Sequence, residues 1–254
     1  GWTNAGDGKG TGPIDEDVKK AANKGVIWVS AAGNDALNHW TGKFSDPDGN
    51  TFNNFIPGDE ILQIYVQAYY LTAFYLNWDD WGTWNGTSYS GAIQDYDMYL
   101  WYWTGSTWQY VDESENWQLG RQNDYPTEAI GYWYSNKSSY WGVSIKKFKA
   151  TRDCMLELFT YGNSSSYPCE YNIPEGSLTI PADSPNAIAV GATDCITDAY
   201  HSYSSRGPTH DGRIKPDFSA PSGVSTSTVT YGSRGFYGTS AATPHMAGGL
   251  TLVF

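Results

Sequence analysis

Cysteine and long apolar runs are both scarce in this chain of 254 residues, and each shortage excludes a class of protein. Cys154, Cys169 and Cys195 are too few for a disulfide-dense scaffold, and their spacing matches no paired zinc motif. A bridge between Cys154 and Cys169 is conceivable, which would leave Cys195 as a free, buried thiol. No apolar run reaches the roughly 18 residues that a membrane helix needs, and the N-terminus lacks the pattern of a signal peptide. We therefore expect a soluble chain without a membrane span.

Positive charge is also in short supply. The sequence has 15 lysine and arginine residues against 27 aspartate and glutamate residues, so its formal net charge is −12 at pH 7. Because such a chain repels phosphate backbones, nucleic acid is not an expected partner. At 28.1 kDa the chain is long enough for one large domain or two small ones.

Aromatic residues, by contrast, are abundant and unevenly placed. Of the 41 tryptophan, tyrosine and phenylalanine residues, 32 lie between Trp40 and Tyr171. Within this stretch, short aromatic and β-branched segments are separated by Gly, Asn, Asp and Ser, which is the pattern of strands joined by turns. We therefore predict an antiparallel β-sandwich over residues 40–171, flanked by two segments of a different domain, residues 1–39 and 172–254.

The two flanking segments have the pattern of an α/β fold. A helix is predicted from Pro13, with Val18 and its apolar neighbours at helical spacing and acidic residues in the first turn. The apolar run Val26–Ala32 predicts a strand buried on both faces of a parallel sheet, and Ala187–Ala192 predicts another buried strand. Small residues from Thr239 onward predict a second helix.

The segment with the most chemical content is GTSAATPHMAGG, from Gly238 to Gly249. It places Ser240 at the start of a helix, where the hydroxyl lies beside unpaired backbone N–H groups and the positive end of the helix dipole. A serine in that position is usually only a helix cap, so Gly-Thr-Ser alone is weak support for a nucleophile. Over eleven consecutive residues, however, the string resembles the nucleophile motif of the subtilisin-like serine peptidases, the subtilases.

Three further strings resemble the same family in the same order. They are SAAGND (Ser30 to Asp35), SPNAIAVGATD (Ser184 to Asp194) and SSRGPTHDGRIKPDFSAP (Ser204 to Pro221). Together the four strings occupy the two ends of the chain, a little under half of it. The resemblance implies a subtilisin-like parallel-sheet core interrupted by the aromatic-rich β-sandwich, which itself resembles the jelly-roll-like domains of some secreted subtilases.

The resemblance also implies a chemistry. Ser240 would attack a peptide carbonyl and form an acyl-enzyme, while the Asn34 side chain and the Ser240 backbone N–H would bind the oxyanion. Ala31 and Gly33 would border the pocket for the residue before the cleaved bond, and Thr239 would assist through its hydroxyl. The implied substrate is a protein or peptide, and the implied location is outside the cell. The oligomeric state is left open.

Two parts of the family's catalytic triad are missing from this sequence. The family's aspartate lies in an Asp-Thr/Ser-Gly string and its histidine in a His-Gly-Thr-His string, and neither string occurs here. His245 lies about 140° around the helix from Ser240 at 3.6 residues per turn, so it cannot take the serine proton and is expected to pack. His39, His201 and His210 are expected to be structural. We therefore interpret the chain as a fragment that lacks the early strands of the core and is inactive by itself as a peptidase.

A second function class remains open, namely a non-catalytic protein that keeps the fold and holds glycans or peptides on the aromatic β-sandwich. No cofactor or catalytic metal is expected. Asp46, Asp48 and Asn50 alternate around a glycine turn as the ligands of calcium loops do. They lack the later bidentate glutamate, so an ordinary turn is favoured over a structural calcium site. Asp95 and Asp97 could pair with a cation or could be two solvated carboxylates.

Overall fold

A computed structural model describes residue 3 and residues 6–162, 167–227 and 235–253. The chain forms two compact units. The first unit combines Gly1–Ala36 with Pro174–Phe254, and the second unit is Leu37–Ile173. Among the described helices, none is long and apolar enough to cross a membrane.

The described elements are two helices and eleven strands. In chain order they are α1 (Pro13–Ala22), β1 (Trp28–Ala31), β2 (His39–Lys43), β3 (Leu62–Val66), β4 (Thr72–Trp78), β5 (Asp95–Trp103), β6 (Trp108–Ser114), β7 (Thr127–Trp133), β8 (Ser139–Lys149), β9 (Met155–Tyr161), β10 (Ala187–Asp194), β11 (Phe218–Ser222) and α2 (Thr239–Leu250).

The first unit is built on a parallel sheet with the strand order β1-β10-β11. In its register Ala31 lies opposite Val190, and Ala192 lies opposite Ala220. Ala242 of α2 joins Val190, Ala192 and Ala220 in a core of mostly small side chains. Small residues let α2 approach the sheet closely, and they bring its first turn to the carboxyl ends of the strands, where ligands bind in open α/β sheets.

Local sequence explains α1, but it overstates the burial of β1. Pro13 occupies the first helical position after Gly12, whose φ of 129° only glycine adopts without strain, and Val18 is fully buried. The expected both-faced burial of Val26–Ala32 is wrong at its start, because Val26 and Ile27 are 50% and 47% exposed. These two residues precede the first pair of the ladder, and β1 is an edge strand of the described sheet.

The second unit consists of two antiparallel sheets of four strands each. Their strand orders are β2-β9-β4-β7 and β3-β8-β5-β6. Alternate residues of both sheets point into one shared core, as the period of two in a strand requires. This core includes Trp40, Leu62, Ile64, Phe74, Leu76, Trp78, Tyr96, Met98, Leu100, Trp141, Val143, Ile145, Leu156 and Leu158.

Backbone hydrogen bonds place the ends of the second unit a few residues away from the composition shift. The units divide at 36/37 and 173/174, whereas composition places the boundaries at 39/40 and 171/172. The Cys169 N–H donates to the Leu37 carbonyl, and the Ile173 N–H donates to the His39 carbonyl. These bonds tie residues of ordinary composition to the second unit, which an aromatic count cannot detect.

The three cysteines are all free thiols. Cys154 and Cys169 are buried, and burial raises the pKa of each thiol to about 12. Cys195 is free as expected, but the expectation that it is buried is wrong. It follows β10, and its thiol lies 3.2 Å from the Gly223 carbonyl at the protein surface.

Candidate active site

The turn that follows β1 is fixed by a glycine and by one serine far away in the sequence. Gly33 has a φ of 114°, and a Cβ there would lie 2.6 Å from Ser205 Oγ and 2.8 Å from Thr179 Cγ2. Ser205 Oγ accepts a hydrogen bond from the Asp35 N–H at 3.0 Å, and the Ser205 N–H donates to the Gly33 carbonyl at 3.0 Å. Only glycine fits at this point, so the direction in which Asn34 leaves the sheet is fixed.

The start of α2 depends on a second constrained glycine. Gly238 has a φ of 102°, and its N–H donates to Ser222 Oγ at 2.9 Å and to Tyr203 Oη at 3.1 Å. A Cβ on Gly238 would lie 3.2 Å from Asn34 Nδ2. Gly238 therefore supplies a backbone angle that other residues rarely adopt, and it leaves room for the carboxamide of Asn34.

Asn34 and the first turn of α2 are joined directly. Asn34 Oδ1 accepts hydrogen bonds from the Thr239 N–H at 2.9 Å and from Thr239 Oγ1 at 3.0 Å. A backbone N–H can only donate, so the Asn34 atom that faces it is the carboxamide oxygen. Nδ2 is consequently turned away from Thr239, and it donates to no acceptor among the residues that the structure describes.

Ser240, which follows Thr239, is exposed to solvent. Its backbone N–H has no acceptor among the described residues, because it lies in the first turn of α2, where N–H groups have no carbonyl one turn earlier in the helix. An exposed hydroxyl, a free backbone N–H and a nearby carboxamide N–H are the groups that an acyl-transfer site needs as nucleophile and oxyanion donors. The positive end of the helix dipole adds to the attraction for an anion.

The other residues predicted to bind substrate have more specific placements. Ala31 is the last residue of β1 and is partly buried. Gly33 is buried in the turn, beneath Ser205 and Thr179. Thr239 is 1% exposed, and its hydroxyl is already committed to Asn34. Thr239 therefore orients the Asn34 carboxamide, and its hydroxyl does not point to the surface.

None of the described hydrogen bonds joins a histidine to Ser240. His39 is buried and bonds the Ile173 carbonyl, while His201 stacks on Tyr203 with ring centroids 4.7 Å apart. His210 Nδ1 lies 2.9 Å from the Asp7 carbonyl oxygen. His245 is exposed and bonds the carbonyl of Ala241 in its own helix, so the expectation that it packs is wrong. His245 also lies about 140° around α2 from Ser240. No described histidine is therefore assigned as the proton acceptor for Ser240.

A buried group of carboxyls in the first unit was missed by the sequence reasoning. Asp15 is 3% exposed, and neither of its carboxylate oxygens has a hydrogen-bond partner among the described residues. Burial, followed by the charges of Asp183 and Asp7, raises the pKa of Asp15 to about 8, partly opposed by Ser184 and Arg213. Burial also raises the pKa of Asp183 to about 6. From sequence, an acidic residue in the first turn of a helix indicates a favourable interaction with the helix dipole. That Asp15 is buried, and that its charged form is therefore unfavourable, is visible only in the tertiary structure.

The Asp46 turn uses its carboxylate within the backbone. Asp46 Oδ1 accepts from the N–H groups of Gly49 and Asn50, and Oδ2 accepts from the N–H of Thr51 at 2.9 Å. Asn50 Nδ2 donates to Glu60 at 2.6 Å and to Asp48. Within the described ranges, no group of three or more histidine, cysteine, aspartate or glutamate side chains is arranged to hold a metal ion. The ordinary turn favoured from the sequence stays a prediction, with a structural calcium ion as its untested alternative.

An exposed serine at a helix start, with a carboxamide bonded to the residue before it, is an arrangement expected of a serine-hydrolase site. Comparison with known sequences gives its family: the subtilase (peptidase S8) family matches residues 124–254, and the chain belongs to that family. This match covers just over half of the chain.

Known proteins resemble the chain over different lengths. Membrane-bound transcription factor site-1 protease of Mus musculus is 41% identical over 85 residues, which is 31% of this chain and 8% of that protein. The protein of the same name from Rattus norvegicus matches equally. Among solved structures, the CspB protease of Clostridium perfringens matches with a TM-score of 0.59 and 17% identity, over 100% of this chain and 53% of that one. The chain thus spans a small part of the site-1 proteases and about half of CspB, and the likeness to CspB concerns the fold alone.

Proposed function

We propose that this chain carries the nucleophile and two oxyanion donors of a secreted serine endopeptidase. The observation that supports this most directly is the pair of hydrogen bonds from Thr239 to Asn34 Oδ1. They fix the Asn34 carboxamide against the residue that precedes the exposed Ser240, although Asn34 and Thr239 are 205 positions apart. Family membership makes a protein or peptide the proposed substrate.

In the proposed reaction Ser240 Oγ attacks the carbonyl carbon of a peptide bond and gives up its proton to a base. The carbonyl oxygen becomes an oxyanion that accepts hydrogen bonds from Asn34 Nδ2 and the Ser240 N–H. When the intermediate collapses, the C–N bond breaks, the amine leaves with a proton, and an acyl ester remains on Ser240. Water then cleaves the ester and regenerates the hydroxyl.

No hydrogen bond of the described residues identifies a proton acceptor for Ser240. Neither triad string occurs in the sequence; the His39, His210 and His245 rings bond backbone carbonyls, and the His201 ring stacks on Tyr203. A serine hydroxyl without a base is a poor nucleophile at neutral pH. We therefore propose that the aspartate and histidine are supplied by residues outside this sequence, and that the 254-residue chain alone does not turn over casein.

A fluorophosphonate probe tests the assignment. The longest product of the native gene is treated with the probe and its peptides are mapped by mass spectrometry; we expect the adduct on Ser240, and none in Ser240→Ala. Ser202→Ala, which removes another exposed serine of the first unit, should label normally. Labelling elsewhere, or no labelling of a folded product, would favour the competing class, a non-catalytic binding protein.

The role of Asn34 is tested by turnover of the same product. Asn34→Ala should lower kcat by about 10²–10³-fold, a magnitude carried over from subtilisin and not worked out from this structure. Thr239→Val keeps the backbone hydrogen bond to Asn34 and removes the hydroxyl bond, so it should lower kcat much less. Equal losses in the two variants would show that Asn34 serves only to hold α2.

A further inference from the structure

The outward side of the β3-β8-β5-β6 sheet is lined with aromatic rings. Its members, here called the aromatic face, are Tyr65, Trp101, Trp103, Trp108, Tyr110 and Tyr140. The strand register pairs Trp103 with Trp108, Trp101 with Tyr110 and Tyr65 with Tyr140. The intervening residues of these strands, such as Leu100, Ile64 and Trp141, point into the core. The face is therefore a product of alternation and register on four neighbouring strands.

The rings of the aromatic face pack against one another at the surface. Ring centroids are 5.3 Å apart for Trp103 and Trp108, 6.0 Å for Trp101 and Tyr110, and 5.3 Å for Tyr65 and Tyr140. Tyr110 and Tyr140 are 46% and 43% exposed, and the three tryptophans are partly exposed. Three inter-strand spacings give the face a width of about 14 Å.

Gly142 shapes the centre of this surface. It lies opposite Trp101 in the register, and a Cβ at Gly142 would be 3.2 Å from Trp108 Cη2. Trp108 therefore reaches across β5 and lies low over the backbone of β8. A tryptophan placed this way covers the sheet with a broad apolar surface, which any larger residue at position 142 would displace.

Polar groups lie among the rings. Ser144 Oγ accepts from Trp101 Nε1 at 2.9 Å, and because Ser144 is only 3% exposed this bond fixes the indole of Trp101 from beneath. The side-chain amide of Gln63, opposite Gly142 in the register, forms no hydrogen bond to a described residue. Within the described outward positions of β3, β5, β6 and β8 there is no leucine, isoleucine or valine; Ile61, just before β3, lies against Gly142.

The charged residues at one end of the aromatic face limit the kind of ligand that this face can bind. Tyr99 Oη donates to Glu115 at 2.6 Å and faces Asp97, and Glu113 lies opposite Tyr99 on β6. Burial, with the charges of Glu115 and Asp95, raises the pKa of Asp97 to about 6. Asp95 and Asp97 are both buried, so of the two alternatives left open by the sequence, that of two solvated carboxylates is wrong. Lys146 and Lys149 of β8 lie opposite Asp97 and Asp95, so the four carboxyls of Asp95, Asp97, Glu113 and Glu115 outnumber these two lysines. This excess of acid disfavours nucleic acid and sulfated or uronic glycans.

We infer that the aromatic face binds an uncharged glycan chain of β-linked hexopyranose units. Such sugars present an apolar C–H side that can stack on indole and phenol rings, and equatorial hydroxyls that can bond the Gln63 amide and the tyrosine hydroxyls. Ligand sites combine aromatic surface with a few placed polar groups in this way. The inference concerns the second unit alone and does not depend on the peptidase chemistry proposed for Ser240.

Binding is tested with the intact 254-residue chain and three probes: cellohexaose, chitohexaose and laminarihexaose, each titrated into the millimolar range by calorimetry and tryptophan fluorescence. We expect at least one sugar to bind and to change the fluorescence. Trp103→Ala and Tyr110→Ala should each weaken binding at least about tenfold. Tyr134→Ala, which removes a tyrosine that is 65% exposed beyond β7 in the other sheet, should bind as the unchanged chain does.

Loss of sugar binding in a variant is meaningful only if that variant is folded. Circular dichroism and thermal unfolding establish that each variant is folded, and the exposed edge-strand residue Tyr110 provides a variant that leaves the core intact. Failure of all three sugars to bind the folded, unchanged chain would overturn the inference. So would binding that persists in both face variants, or a preference for a decaproline peptide over every sugar, since that would make the face a protein-binding surface.

Discussion

Replacing Asp15 with asparagine should stabilise the chain, and should do so increasingly as the pH rises. Asp15 is almost fully buried without a hydrogen-bond partner among the described residues, and it faces the carboxyls of Asp183 and Asp7. Asparagine has nearly the same shape and cannot ionise. The substitution therefore removes the cost of a buried negative charge while leaving the packing of α1 unchanged.

The direction of this pH dependence follows from the raised pKa of Asp15. Because the folded-state pKa of Asp15 is about 8 and its ordinary value is 3.8, the folded state holds a proton that the unfolded state releases between these values. The stability that this proton provides is complete below about pH 3.8 and is lost as the pH rises to 8. One proton corresponds to about 1.4 kcal/mol per pH unit, so from pH 5 to pH 8 the upper limit of the loss is about 4 kcal/mol.

The assay is urea unfolding followed by circular dichroism at pH 5 and at pH 8. We expect the free energy of unfolding of Asp15→Asn, relative to the unchanged chain, to rise by at least about 1.4 kcal/mol between the two pH values. Asp17→Asn is the matched control, because Asp17 lies on the same helix with its side chain 76% exposed and only a surface ion pair to Lys20. A difference between Asp15→Asn and the unchanged chain that does not depend on pH would refute the reasoning, since a buried ionising group would then be absent.

Two other predictions concern the cysteines and the glycine turns. Ellman's reagent should modify one thiol of the native chain, that of the exposed Cys195. Cys154 and Cys169 should react only after unfolding, because burial raises the pKa of each thiol to about 12. Rapid reaction of all three thiols in the folded chain would contradict the structure. Gly91→Ala should cost more stability in urea than Gly86→Ala, although the two φ values are 100° and 97°. The Gly86 change adds only left-handed backbone strain of about 1–2 kcal/mol. At Gly91 the new Cβ would in addition overlap the Arg121 carbonyl oxygen. Equal losses in the free energy of unfolding of the two variants would argue against that overlap.

Much of the local structure could be predicted because it depends on neighbouring residues. Pro13 and the acidic first turn determine where α1 begins, and the small residues after Gly238 determine the character of α2. The string around Ser240 indicated the family because it is contiguous, and the family match agrees. The strand preceding Asn34 was predicted from its apolar run, but its exposed start was not, since burial depends on which strand lies alongside.

What the sequence determined by itself is the identity of the chemical groups: a serine at a helix start, an asparagine after a buried strand and a middle segment dense in aromatic residues. Only the tertiary structure decided their relations. It bonded Thr239 to Asn34 across 205 positions, placed Asp15 against Asp183, and set the register that turns six rings to one side of a sheet. Residue type gives the chemistry of a group, whereas its partners and its exposure to water arise from long-range pairing of strands, which no local pattern encodes.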